Sequence, residues 1–200
     1  MNPMFYLFRR SLPTSPVLVA LLLGLVTSAP AAVLTHRYPF SANANDTVGG
    51  GNGQLVGGAT ISGGAVVLDG SSGYVNLPNN IEAGYNAVTI EAWVTDTGGY
   101  TWSRIFDFGN SSAGEDFALS TGSSGLQYMF LTGHSGSGAL RAAFELPNVN
   151  EQGTEWSGTA LPTNVRQHVV WTTDGSSQAS LIYVNGVLVA SNLSTTITPA

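Results

Sequence analysis

The segment Leu181-Ile182-Tyr183-Val184-Asn185-Gly186-Val187-Leu188-Val189-Ala190 commits the backbone more firmly than any other stretch of the chain. Asn and Gly both tolerate positive φ, so Asn185-Gly186 between two apolar runs predicts a two-residue type I′ turn and a β-hairpin. A turn of that length sets Val184 opposite Val187, Tyr183 opposite Leu188, Ile182 opposite Val189 and Leu181 opposite Ala190. Both faces of this hairpin are apolar. It therefore belongs to a layered all-β domain, with one face in a core and the other under loops or a partner.

The chain opens differently. Arg9 and Arg10 precede an apolar run of about ten residues, Val17 to Val26, which is followed by Ala29-Pro30-Ala31. A basic start, a short apolar stretch and a small-x-small site predict a secretory signal peptide over residues 1–31, cut after Ala31. The run is too short for a spanning helix, which needs about 20 apolar residues, so the mature chain is expected not to span a membrane. Its Leu-rich character favours general export over a twin-arginine route, and the expected location is secreted, extracellular or at the cell surface.

Residues 32–200 then suffice for one domain with a sizeable core. All six basic residues are arginine, and two fall in the leader, leaving four against twelve acidic side chains. That balance argues against nucleic acid, whose phosphates need a basic face. The absence of cysteine excludes disulfides and thiolate metal chemistry. Nothing in the residues sets an oligomeric state.

After Val33, Gly, Ser and Asn recur between short runs of period two, which predicts strands and no long helix. The expected strands are Leu34–Phe40, Ala65–Leu68, Tyr74–Leu77, Ala87–Thr95, Arg104–Phe108, Phe117–Ser120, Leu126–Thr132, Ala139–Leu146, His168–Thr173, Ala179–Val184 and Val187–Ser191. So many short strands in one domain predict a two-sheet antiparallel jelly-roll sandwich. Pro147–Pro162 reads as one long loop. Along Val88–Thr95, alternation places Val88, Ile90, Ala92 and Val94 on a core face and Thr89, Glu91, Trp93 and Thr95 on the other. Glu91 is a candidate partner for Arg104, and a carboxylate beside an indole suits either an ion pair or a sugar-facing surface.

The series Leu34-Thr35-His36-Arg37-Tyr38-Pro39-Phe40, Gly64 to Pro78, Thr89-Ile90-Glu91-Ala92-Trp93-Val94, Trp102 to Gly109, His168-Val169-Val170-Trp171 and Ile182 to Gly186 resembles, in this order, the secreted laminin-G-like domains of the concanavalin A-like superfamily. The resemblance runs from about Leu34 to Ala190. It implies two packed antiparallel sheets and admits lectins, carbohydrate-binding modules, adhesion domains and glycosidases. It also implies a closing segment after the hairpin that pairs beside the first strand; without one, Leu34–Phe40 would present an open edge. The sequence is thus expected to be a member lacking its closing strand or strands.

Three functions are compatible with these residues. Non-catalytic binding of a glycan or polysaccharide comes first, with Tyr100, Trp102 and Trp156 as the stacking platform, since all three sit in expected loops. Adhesion to a surface or matrix protein uses the same rim loops. Glycoside hydrolysis ranks last: hydrolases of this fold typically carry Glu-x-Asp-x-x-Glu along one strand, and that spacing is missing here. His36 and His168 read as strand residues bonded across a sheet. Asp107, Asn110, Glu115 and Asp116 crowd one region, so a structural calcium ion is a candidate without an assigned ligand set, whereas Asp69 reads as a turn former.

Overall fold

A computed structural model of the chain describes residues 32–111 and 124–195, and the fold is that of the compact unit Leu34–Ala200. The leader-like stretch and the expected strand Phe117–Ser120 lie outside the described residues. Twelve strands run in order: β1 Gln54–Val56, β2 Thr60–Ser62, β3 Ala65–Val67, β4 Tyr74–Asn76, β5 Ala87–Val94, β6 Arg104–Ser111, β7 Ser124–Thr132, β8 Leu140–Leu146, β9 Val149–Trp156, β10 Gln167–Asp174, β11 Ala179–Val184 and β12 Val187–Asn192. Two four-stranded antiparallel sheets dominate, ordered β12-β11-β10-β5 and β6-β7-β8-β9, with the short ribbons β1-β4 and β2-β3 beside them. The all-β sandwich is as the alternation predicts.

Period-two patterning decides which side chains meet. Met129 and Leu131 of β7 and Leu140, Ala142 and Phe144 of β8 face Val169 and Trp171 of β10 and Ile182 and Val184 of β11. Trp171 is fully buried at the centre, stacked on Phe106 at 5.6 Å and tilted against Phe144 at 6.0 Å. Its indole Nε1 donates to Ser180 Oγ (2.9 Å), which also accepts from Thr154 Oγ1 (2.6 Å). This buried trio ties β9 to the opposite sheet with its polar atoms satisfied. Along β5, exposure alternates as expected, with Val88, Ile90, Ala92 and Val94 turned inward.

Asn185 and Gly186 both adopt positive φ, 51° and 80°, as a type I′ turn requires. Val184 pairs with Val187 and Tyr183 with Leu188, but Ile182 pairs with Ala190 and Leu181 with Ser191. The expected register fails after Leu188 because Val189 is an extra residue in a β-bulge. The bulge lets both Val189 and Ala190 pack against the core, which strict alternation would forbid. Leu188 stays 50% exposed, so the outer side of this edge strand is open rather than covered, while Val187, across from the buried Val184, is 63% exposed at the inner edge.

Three further expectations are corrected. Leu34–Phe40 forms no strand, because its polar groups bond to a loop instead: Arg37 N–H donates to Asp46 Oδ1 (2.9 Å) and Tyr38 Oη to the Gly51 carbonyl. It therefore presents no sheet edge. Pro147–Pro162 is not one loop. Asn148, at φ 67°, turns the chain into β9, whose inward residues Gln152 and Thr154 are polar, so the usual apolar alternation is missing from its sequence. The strands β1 and β2, three residues each, are not among the strands expected from the sequence.

Glu91 and Arg104 do not pair, because β5 and β6 belong to different sheets. Glu91 meets His168 Nε2 across β10 at 3.4 Å, and Arg104 Nε donates to Asp107 Oδ2 at 2.9 Å. His168 is thus the cross-sheet histidine expected. His36 lies outside any strand and bonds Asp46 through Nδ1 (2.7 Å).

Candidate functional site

Asp96 starts the loop between β5 and β6 with its carboxylate accepting the N–H groups of Gly98 (3.0 Å) and Gly99 (2.8 Å). A short acceptor two and three residues upstream bends the backbone tightly, and the two glycines leave room: the Tyr100 ring lies where a Cβ on Gly98 would stand. Tyr100 is 69% exposed. Two residues on, Trp102 sits at φ 67°, a left-handed conformation costly for a bulky side chain.

Bonds at both of its ends hold Trp102 there. Its N–H donates to the His134 carbonyl (2.6 Å), and its own carbonyl accepts from Arg104 Nη1 (3.1 Å). The His134 ring adds a second tie, Nδ1 to the Gly99 carbonyl at 2.7 Å; a carbonyl only accepts, so Nδ1 carries the proton. Gly136 packs against the indole so closely that a Cβ would come within 3.0 Å of it. The result is a half-exposed indole clasped between the 96–103 and 133–138 loops.

Under it lies Phe130, which points away from the core by parity yet is 4% exposed. The Arg104 guanidinium covers it at 4.0 Å from the ring centroid, Trp102 meets it edge-on at 6.3 Å and Tyr128 stacks at 5.9 Å. Burial raises the Asp107 carboxyl above its usual range, against the opposing pull of Arg104.

The strip continues over β8 and β9. Tyr128 Oη lies 2.6 Å from Glu145 Oε2 and 2.7 Å from Glu151 Oε2. Burial first, then these two carboxylates, push the phenol above its ordinary range. Arg141 binds Glu151 and Glu155; burial disfavours its charge, but the two carboxylates outweigh that and raise its pKa. The guanidinium lies flat over Gly153, where any Cβ would strike it. Ser137 Oγ donates to Glu155 Oε1 (2.8 Å), linking this network to the loop of His134.

Of the three aromatic residues singled out by sequence, Tyr100 and Trp102 share one loop. Trp156 does not join them. It turns inward across from Leu140 and lines an open apolar cleft of about 550 Å³ with Ala160, Pro162, Val184, Val187 and Val189. Sequence reasoning misses Arg104, Phe130 and His134 as parts of this site, although Trp102-Ser103-Arg104 and the Gly/Ser loop around His134 offered a signal. Asp69 behaves as a turn former, accepting the amides of Ser71, Ser72 and Gly73, and those bonds hold its carboxyl well below the usual range. Glu115, Asp116 and the Asn110 side chain lie outside the described part. Among the described residues no group of three or more His, Cys, Asp or Glu side chains is placed to hold a metal ion.

Two sheets packed on an aromatic core, with aromatic and charged groups displayed on loops and outer faces, define a β-sandwich of the binding-module type. The chain belongs to the concanavalin A-like lectin/glucanases superfamily: a laminin-G family model of that description matches residues 69–200. Comparison with curated proteins and with solved structures gives no match. Membership supports a carbohydrate-binding or adhesion-type module in general. Domains of this kind are typically non-catalytic, although the superfamily includes glycosidases, and they commonly bind carbohydrates or matrix proteins. No helix among the described residues is long and apolar enough to cross a membrane.

Proposed function

We propose that this chain is an exported, non-catalytic carbohydrate-binding module that holds a glycan against the Tyr100–Trp102 loop. The observation that carries this reading is Trp102 itself. A bulky residue at φ 67° costs stability unless its surroundings enforce it, and such strain gathers at ligand clamps. Here the strain turns an indole toward solvent beside an exposed Tyr100 and the Arg104 guanidinium. Aromatic faces for C–H surfaces and donors for ring hydroxyls are what sugar recognition needs. Export rests on the leader-like residues 1–31.

Hydrolysis fits less well. Glu145 and Glu151 come together across the β8–β9 turn, yet the Tyr128 hydroxyl sits between them, 2.6 Å and 2.7 Å away, in the gap that a scissile bond would need. Adhesion to a surface or matrix protein is the second reading, favoured by the exposed Val187 and Leu188 beside the apolar Trp156 cleft.

A glycan and polysaccharide screen, run with calcium and with chelator, tests the proposal. Trp102→Gly and Trp102→Ala should each weaken binding by about tenfold or more. Their stabilities should differ: both lose the ring, but glycine adopts φ 67° freely, so the Gly variant should be the more stable by about 1 kcal/mol in urea unfolding. Unchanged glycan affinity in both variants, or binding of matrix proteins alone, would sink the loop as a sugar site.

A further inference from the structure

The outer face of the β12-β11-β10-β5 sheet carries a second exposed indole that the loop site does not use. Trp93 of β5 stands directly across from His168 of β10. Its ring stacks on the imidazole, with centroids 4.8 Å apart and planes at 27°, and the Arg166 guanidinium lies 4.9 Å from its centroid. Arg166 immediately precedes β10, and its contact with Trp93 places it on the same side as His168. With both groups against its ring, Trp93 still remains 63% exposed.

Arg166, like Arg37, makes no ion pair among the described residues, and it is the one of the two that lies on an aromatic ring. Arg104 is paired with Asp107, and Arg141 with Glu151 and Glu155. Among the described residues no carboxylate lies within ion-pair distance of Arg166; Glu91 on the same sheet meets His168 Nε2 at 3.4 Å. A guanidinium laid on an aromatic ring keeps its N–H edges free, and that planar fork matches a carboxylate. The open indole face matches the C–H surface of a pyranose. Side by side, the two offer an exposed aromatic surface for a sugar ring and one cation at its border.

We propose that Trp93 and Arg166 form a second glycan subsite, selective for a pyranose that carries a carboxylate, as in a uronate-containing polysaccharide. The inference rests on the carbohydrate-binding reading and adds a ligand class to it. Because Trp102 lies on the outer side of the other sheet, the domain presents two sugar platforms on opposite faces. One molecule then holds two strands of a polysaccharide, or two stretches of one, and gains avidity from the linkage.

Calorimetric titration of the full chain with a hexauronide, and with the same oligosaccharide after reduction of its carboxyl groups, tests this. The hexauronide should bind more tightly than the reduced form, and added salt should narrow the difference. Trp93→Ala should weaken the hexauronide by about tenfold or more without moving the melting temperature, since the side chain is largely exposed. Arg166→Gln should erase the preference for the charged sugar and leave affinity for the reduced one as it was.

Hexauronide binding that both variants leave intact overturns the subsite, and so does the absence of hexauronide binding by the folded parent. Binding of polyglutamate in place of the hexauronide overturns it in favour of an acidic protein partner. The loop site fails separately, through glycan binding indifferent to Trp102→Gly.

Discussion

Trp171→Ala is expected to cost about 3–5 kcal/mol of folding stability, within the range for truncating a buried tryptophan. Domains of this size are stable by about 5–15 kcal/mol, so this one change removes a large share. Two losses combine. The stacked contacts with Phe106 and Phe144 disappear, leaving a cavity between sheets that cannot fully close. Ser180 Oγ also loses its indole donor while remaining buried. Trp171→Phe separates them, because it keeps most of the ring volume and removes only the N–H; its expected cost is about 1–3 kcal/mol. Urea unfolding of the three chains measures both. A Trp171→Ala loss below about 1 kcal/mol would mean that the inter-sheet core is not organised around this residue.

The second large effect is expected at Asp46, in the irregular segment ahead of β1. Its carboxylate accepts the backbone N–H groups of Arg37 and Val48 through Oδ1 and of Gly49 and Gly51 through Oδ2, and it meets His36 Nδ1. No other described residue gathers so many backbone groups. Burial acts to raise its pKa, but the bonds from Arg37, the His36 ring, Val48 and Gly49 prevail and hold the carboxyl well below the usual carboxylate range. A carboxyl that titrates lower in the folded than in the unfolded chain stabilises fully above the unfolded value, about 3.9. That stabilisation is lost as pH falls through the folded value.

Asp46→Asn should therefore lower the melting temperature at pH 7 by about 5 °C or more, because the amide cannot accept at both atoms. The parent and variant curves should converge on acidification below about pH 4. Thermal melts between neutral and strongly acidic pH give the comparison. Asp69 and Asp174 are also held low, by bonds within their own turns, so the variant keeps some acid sensitivity. Parallel curves at all pH values would remove Asp46 from the acid response.

What could be read from sequence depended on how local its cause was. Asn185-Gly186 sets its turn by the φ preferences of two adjacent residues, and the turn formed. The register beyond it answers to something distant: Val189 and Ala190 both fill the core, and the bulge that allows this has no signature in the hairpin. β9 stayed hidden because Thr154 faces inward to bond Ser180, a partner 26 positions away, so its strand lacks apolar alternation. Trp93 was placed on the outer face by parity alone. Its neighbours were not legible, since only the division into sheets sends Glu91 to His168 and Arg104 to Asp107. Likewise, aromatic residues in a loop marked Tyr100 and Trp102, whereas their clasp by His134 joins residues 35 apart.

The Asn-Gly turn also bears on how the molecule ages. Asparagine before glycine is the pairing most open to spontaneous deamidation, in which the following backbone nitrogen attacks the side-chain amide. Asn185 is exposed, yet its amide is occupied: Oδ1 accepts the His168 N–H (3.0 Å) and Nδ2 donates to Gln167 Oε1 (2.6 Å). The bonds that seat the hairpin against β10 thus also hold the amide away from ring closure. The same two hydrogen bonds govern folding geometry at the turn and its chemical lifetime.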